Sequence, residues 1–227
     1  MKKCLVPISV GNPVFRTSRF EPLLESIPQA YDEVVFFVAD FLQLYNHAMV
    51  VSSGPELARL LHQFRTEQDH LNQRKIWLMK LRKSMRCELA RLPWRYLGAS
   101  ELEDRDLSDV WRSVLVMYEC VAEFRDDIDR AVLNGAPRRG VVGNDLSRRL
   151  SRMYLLEEVS MNIRLRVKER IEDEYYAGST LVPLVKLYAG DYGVRVSDLV
   201  GVDTSGITFR FYEPTTSDLD SPGWRQL

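Results

Sequence analysis

The sequence predicts an α/β domain built on a parallel sheet, and three observations carry that prediction. Two short apolar runs, Cys4–Ile8 and Val34–Ala39, are continuous rather than alternating, as in strands covered on both faces. Between them Leu23, Leu24 and Ile27 supply enough apolar surface for one crossover helix, which completes a βαβ unit with a right-handed connection. Long helical patterns dominate the remainder of the 227 residues, with no internal repeat and no linker. One domain is therefore expected over residues 1–216, followed by a polar C-terminal tail over 217–227.

Each element has its own signal. The first strand runs into Ser9-Val10-Gly11-Asn12-Pro13, small residues and a turn of the kind that joins a buried strand to a helix. The second strand is bounded by Asp32-Glu33 and Asp40. Ser53-Gly54-Pro55-Glu56 is a capping box with proline in the first turn. It opens a helical stretch in which Leu71, Leu78, Leu81, Met85, Leu89 and Leu92 recur at helical spacing until Pro93 stops it. Arg95-Tyr96-Leu97 reads as a short strand. A helix is expected from Ser108 to Leu133, ended by Asn134-Gly135, and Ala136–Gly143 reads as a basic loop. Another long helix begins near Asn144-Asp145 and carries Tyr154 and Glu158. Beyond Glu174, Leu181–Tyr188, Val194–Val200 and Ile207–Phe211 fit either strands or short helices.

Composition excludes several function classes. An apolar fraction of 45% with 28% charged residues is that of an ordinary globular chain. Lys and Arg number 31 against 32 Asp and Glu, so any surface for nucleic acid must be local. No apolar run reaches the ~18 residues of a spanning helix, and the N-terminus has no signal-peptide pattern; no membrane partner is expected. Cys4, Cys87 and Cys120 are odd in number and far apart, which suits a reducing cytoplasm and no metal knuckle. His47, His62 and His70 form no ligand pair, so no metal is expected.

Three features are candidates for chemistry. Ser9 stands at the carboxyl end of the first strand, where open α/β sheets place their ligands; it is either a nucleophile or the cap of the next helix. Gly11 and Asn12 permit a close backbone approach beside it. No Gly-x-Ser-x-Gly surrounds this serine and no histidine follows His70, which argues against a hydrolase triad. The phosphate-binding glycine fingerprints are also absent, and Lys83-Ser84-Met85 shares letters with a synthetase signature but sits inside a helical pattern. Tyr154 and Glu158, four apart, share one helix face: a clamp for an ammonium group, or a packed tyrosine beside an exposed carboxylate. From Arg65 to Arg95 basic residues greatly outnumber acidic ones, and Lys75, Arg82 and Arg86 form a stripe beside the apolar face, with Trp77 close by. Such a stripe tracks a phosphate backbone or is a solvated face.

As an ordered set, these residues resemble one family, the cyclodipeptide synthases, which use aminoacyl-tRNAs to make 2,5-diketopiperazines. Ile8-Ser9-Val10-Gly11-Asn12-Pro13 resembles the motif of the family's first strand, and Val34–Asp40 its second strand. The basic helix is similar to its tRNA-binding helix, with Lys75, Arg82, Lys83 and Arg86 as the matching cations. Glu123–Val132 resembles the helix before the catalytic loop, and Tyr154-Leu155-Leu156-Glu157-Glu158 matches a Tyr-x-x-x-Glu motif. The likeness covers about residues 4 to 160.

The resemblance implies a Rossmann-like parallel sheet with helices on both faces, as in the catalytic domain of class-I aminoacyl-tRNA synthetases. It further implies two aminoacyl-tRNAs as substrates, no metal and no cofactor; a monomer is expected. Ser9 would accept the aminoacyl group, Tyr154 and Glu158 would hold its ammonium, and Pro7, Gly11, Asn12 and Glu157 would line the pocket. Three positions depart from the pattern. Pro7 stands where glycine is common, and Val14 replaces a usual tyrosine. The late catalytic tyrosine is best matched by Tyr212, in Phe211-Tyr212-Glu213-Pro214, which lies 54 residues after Glu158, with Tyr188 and Tyr192 as rivals. Two other readings fit the same features: a non-catalytic tRNA-binding module on this fold and a nucleotide-binding adenylyl transferase, the latter disfavoured by the missing glycine fingerprints.

Overall fold

The computed structural model describes residues 1–8, 17–28, 30–38, 55, 94–98, 105–135, 145–178, 181–215 and 223–227. Ser9, Gly11, Asn12, Lys75, Arg82, Lys83 and Arg86, with most of the long helix expected before Pro93 and the basic loop of residues 136–143, lie outside the described residues.

The described strands form one sheet. In chain order they are β1 (Lys3–Ile8), β2 (Glu33–Val38), β3 (Trp94–Gly98), β4 (Asp173–Tyr175), β5 (Arg210–Pro214) and β6 (Trp224–Gln226), and in space they run β3-β2-β1-β4-β5-β6. The first five are mutually parallel, and β6 joins β5 antiparallel. The spatial order 3-2-1-4-5 is that of a Rossmann-like doubly wound sheet, with the reversal in strand order between β1 and β4.

The continuous apolar runs are explained by cover on both faces. Cys4, Val6, Ile8, Val34 and Phe36 pack on α1 (Thr17–Glu25) through Phe20, Leu23, Leu24 and Ile27. Leu5, Val35 and Phe37 point the other way, toward α2 (Arg105–Cys120), α3 (Ala122–Gly135), α4 (Asp145–Glu169), α5 (Val182–Ala189) and α6 (Val196–Val200). The single helix expected over Ser108–Leu133 is two, which meet at Val121, and there the Arg125 guanidinium donates to the Glu119 carbonyl at 3.1 Å. The apolar stripes of the two helices, Val110–Met117 and Phe124–Val132, both lie on α4. Lys186 Nζ and the Tyr192 hydroxyl each donate to Asp127 at 2.8 Å, fastening α5 and its following turn to α3.

α4 is the central helix, buried on almost every side between Tyr154 and Val167. Its Arg166 has no solvent exposure. The guanidinium lies 3.3 Å from Glu174 Oε2, donates to the carbonyls of Ile171, Glu172 and Arg210, and stacks on Tyr188, Phe209 and Phe211. Asn162 donates to the same Glu174 oxygen at 2.7 Å and accepts from the Tyr188 hydroxyl at 3.1 Å. Burial pushes the Glu174 carboxyl upward, against the opposing pull of Arg166 and Asn162.

Part of the tail expected beyond residue 216 is structured. Trp224–Gln226 forms β6, the Leu227 N–H donates to the Phe211 carbonyl at 2.9 Å, and the Trp224 indole N–H donates to the Leu23 carbonyl at 3.1 Å. β5 otherwise presents an unpaired backbone row, and pairing it with a following antiparallel segment satisfies those groups. On the same face Tyr31 donates to Asp173 at 2.8 Å and lies 2.8 Å from the Tyr175 hydroxyl, while Arg210 pairs with both Asp173 and Glu172.

Burial pushes the Asp173 carboxyl up, but hydrogen bonds from Arg210 and Tyr31 outweigh it and hold the group below the usual range. An acid lowered in the folded state stabilises the fold above its unfolded pKa of about 3.9 and loses that contribution as pH falls through the folded value. Asp173→Asn should therefore cost about 2 kcal/mol at pH 7, the size of a hydrogen bond to a charged group. It should also make urea-unfolding stability fall less steeply below about pH 4. An unchanged acid slope would contradict the assignment.

Candidate active site

In an open α/β sheet the ligand crevice lies outside the carboxyl ends of the strands at the switch point, here between β1 and β4. The two strands pair only through Cys4↔Asp173 and Leu5↔Glu174, so the ladder between them stops well before Ile8. Pro7, half-buried and aligned with Phe37 on the other side, has no N–H to offer a ladder. The described part of β1 ends at Ile8, and Ser9 is the next residue in the chain.

α4 delivers the Tyr-x-x-x-Glu pair to this edge. It enters β4 through a turn of three residues, so it runs antiparallel to the strands, and its C-terminal Glu169 meets Lys3, the first residue of β1, at 2.8 Å. Glu158 lies eleven residues before Glu169, about 16 Å along a helix that rises 1.5 Å per residue. Ile8 lies five residues after Lys3, about 17 Å along a strand that rises about 3.3 Å per residue. Glu158 thus stands level with the carboxyl end of β1, and Tyr154 one turn beyond it. Tyr154 is buried in the cluster on the α2–α6 face, while Glu157 and Glu158 are half-buried.

The tyrosines named from the sequence are distributed differently from expectation. Tyr188 belongs to the Arg166 network, beneath α4. Tyr192 donates to Asp127 and packs edge-on against Phe124, 5.3 Å between centroids. Tyr212 stacks on Tyr175 with centroids 4.5 Å apart and planes at 9°, on the α1 face. That is the face opposite Tyr154, and the structure does not bring the two together. The reason is the strand alternation: Phe211 turns to the α4 side and its neighbour Tyr212 away from it.

Sequence reading passed over the doublet Tyr175-Tyr176. Tyr175 ends β4 and its hydroxyl is occupied by Tyr31; burial pushes its phenol up to about 12. Tyr176 is the first residue past the strand, half-buried, with its N–H donated to the Tyr212 carbonyl at 3.1 Å. A Cβ built on Gly178 would lie 2.8 Å from the Tyr176 ring, so glycine at that position leaves the ring its place at the strand end. The available signal was the spacing, since Tyr176 follows Glu158 by only 18 residues.

Among the described residues no group of three His, Cys, Asp or Glu side chains fits a metal ion, and no helix is long and apolar enough to cross a membrane.

No protein-family model matches the sequence, and no curated protein matches it. Solved structures do. A cyclodipeptide synthase from Fluoribacter dumoffii superposes with a TM-score of 0.73 at 16% identity, covering 100% of this chain and 91% of that one. AlbC, a cyclodipeptide synthase from Streptomyces noursei, gives 0.63 at 18% identity over 93% and 94%. The synthase from Candidatus Glomeribacter gigasporarum, solved bound to Phe-tRNAPhe, gives 0.53 at 17% identity over 85% of each chain. Across nearly its whole length, then, this chain is built on the fold of the cyclodipeptide synthases.

Proposed function

We propose that this protein is a tRNA-dependent cyclodipeptide synthase, which joins the aminoacyl groups of two aminoacyl-tRNAs into a 2,5-diketopiperazine through an aminoacyl ester on Ser9. The observation that carries the reading is the level of Glu158 and Tyr154 with the carboxyl end of β1, one residue before Ser9, on the fold described above.

Ser9 Oγ attacks the ester carbonyl of the first aminoacyl-tRNA; the new ester forms on serine and the tRNA hydroxyl leaves with a proton. Tyr154 and Glu158 hold the α-ammonium, a cation matched by a phenol and a carboxylate. After losing a proton, that amine attacks the ester of the second aminoacyl-tRNA, forming an amide and releasing the second tRNA. The free amine of the dipeptidyl group then attacks the serine ester, which closes the six-membered ring and returns the hydroxyl to Ser9. Both substrates arrive as activated esters, so orientation and proton transfer are what the protein contributes. Pro7, Gly11, Asn12 and Glu157 line the aminoacyl pocket, and Lys75, Arg82, Lys83 and Arg86 bind tRNA phosphates.

The proton relay in ring closure passes from Tyr212 to Tyr176. Tyr212 stacks on the face away from Tyr154, whereas Tyr176 follows the strand that borders the crevice. The resemblance also implies a late tyrosine soon after the Tyr-x-x-x-Glu motif.

Ser9→Ala should fold normally and yield no cyclic dipeptide in the medium of an expressing host, read by mass spectrometry. Wild-type protein mixed with aminoacyl-tRNA should gain the mass of one aminoacyl group. Full product from the alanine variant would overturn the covalent route, and a wild type that binds tRNA without forming product would favour a non-catalytic tRNA-binding module.

Replacing Lys75, Arg82 and Arg86 together by alanine should weaken tRNA binding and flatten its salt dependence by about 0.7 to 0.9 log units per lost phosphate contact. Unchanged affinity and slope would move the tRNA surface elsewhere.

A positioned proton-transfer group contributes about 10² to 10⁴ in rate. Tyr176→Phe should still load Ser9 and lose cyclic product by that order, while Tyr212→Phe retains it. The opposite result would return the relay to Tyr212.

A further inference from the structure

α4 is much longer than the sheet it packs on. Its 25 residues span about 36 Å, against about 17 Å for the six residues of β1. Because Glu169 is held at the amino edge by Lys3, the excess of roughly 19 Å projects past the carboxyl edge, on the side of the crevice. The change in burial along the helix agrees: Asp145, Leu146, Arg148 and Arg149 are exposed, and from Tyr154 onward the helix is mostly enclosed.

The projecting end carries Arg148, Arg149 and Arg152 against a single acid, Asp145. Arg152 is spent on the fold, bonded to Asp129 at 2.8 Å and lying over the Tyr118 ring. Arg148 and Arg149 have no partner among the described residues, although Asp145 is three and four positions away. This sets them apart from Arg105, Arg112, Arg130, Arg195 and Arg225, each of which has a carboxylate within 4.0 Å. Their position is also locally unfavourable. Cations near a helix N-terminus oppose the macrodipole, and Arg148 faces the like charge of Arg152 at i,i+4. Two unpaired cations kept where the helix disfavours them are what a site for an external anion requires.

We infer that Arg148 and Arg149 bind backbone phosphates of the acceptor end of an aminoacyl-tRNA, a contact separate from the Lys75–Arg86 stripe. The inference rests on the reading of this edge as the aminoacyl-transfer site. Arg148 stands ten residues from Glu158, about 15 Å along the axis. At a rise of roughly 3.4 Å per nucleotide that is about four nucleotides. The groups met there are the phosphates nearest the ester, and the distal stem is out of reach. The guanidinium groups provide the charge, and their exposure leaves them free to fork onto phosphate oxygens.

The test uses the full chain and an acceptor-stem minihelix ending in single-stranded CCA, with binding read by fluorescence anisotropy across a salt series. Arg148→Ala/Arg149→Ala should lower affinity at 0.1 M salt by roughly 5-fold per lost contact and reduce the log–log salt slope by about 0.7 for each. A minihelix trimmed of its CCA should bind wild type and variant equally. The melting temperature should stay level or rise, because the variant removes charges the helix disfavours. Wild-type affinity and slope in the double variant, or an equal loss on the trimmed minihelix, would overturn the inference. Should wild type make cyclic dipeptide while the variant binds unchanged, this contact alone falls; should wild type bind in an arginine-dependent way and make none, the synthase reading falls and the contact stands. Absence of any binding by wild type overturns the contact.

Discussion

A guanidinium with no contact with water holds the sheet to its central helix. Arg166 points from the last turns of α4 into the place where the chain turns into β4, and there it donates to three backbone carbonyls, those of Ile171, Glu172 and Arg210. Buried ion pairs add little net stability compared with an apolar filling of the same volume, since desolvation offsets the Coulomb attraction. The consequence of the Arg166–Glu174 pair is geometric. It sets the height of α4 against β4 and β5, and with Lys3–Glu169 it sets the height of α4 against β1. Every residue nearer the N-terminus of α4, Glu158 and Tyr154 included, takes its level from these two anchors.

Three ionic networks share one end of the sheet. Lys3 with Glu33 and Glu169, Asp173 with Tyr31 and Arg210, and Glu174 with Arg166 all lie where the strands begin or in the turn before them. In a parallel sheet the carboxyl edge is where ligands bind, so stability placed at the amino edge leaves the other edge open to chemistry. The short pairing of β1 with β4 follows the same division, joined at Cys4 and Leu5 and parting toward Ile8.

The two faces divide the aromatic residues as well. On the α1 face Tyr31, Tyr175, Tyr212 and Trp224 form one cluster, with Tyr175 stacked on Tyr212 and edge-on to Trp224 at 5.1 Å. It anchors β6 and closes the sheet's edge. On the other face Tyr188 with Phe209 and Phe211 surrounds Arg166. The cation–π contacts there replace part of the hydration the guanidinium gave up.

β1, β2 and α1 were legible in the sequence because their signals are local: a continuous apolar run is a strand covered twice, and three apolar residues between two such runs are a crossover helix. The placement of Tyr154 and Glu158 on one helix was legible for the same reason, since their four-residue spacing lies within a single helical pattern. β4 was not. Its three residues are Asp173, Glu174 and Tyr175, and no apolar pattern marks an acidic strand as buried. Arg166 and Asn162 on the preceding helix, with Tyr31 and Arg210 from far along the chain, supply the bonds that allow two carboxylates to be enclosed. The same non-local pairing hid β6 in a polar tail, gave Tyr212 the face opposite Tyr154, and brought Tyr176 to the end of the switch-point strand. Periodicity reports which residues share an element, whereas the face and the level at which an element meets its neighbours depend on partners that only the folded chain brings within reach.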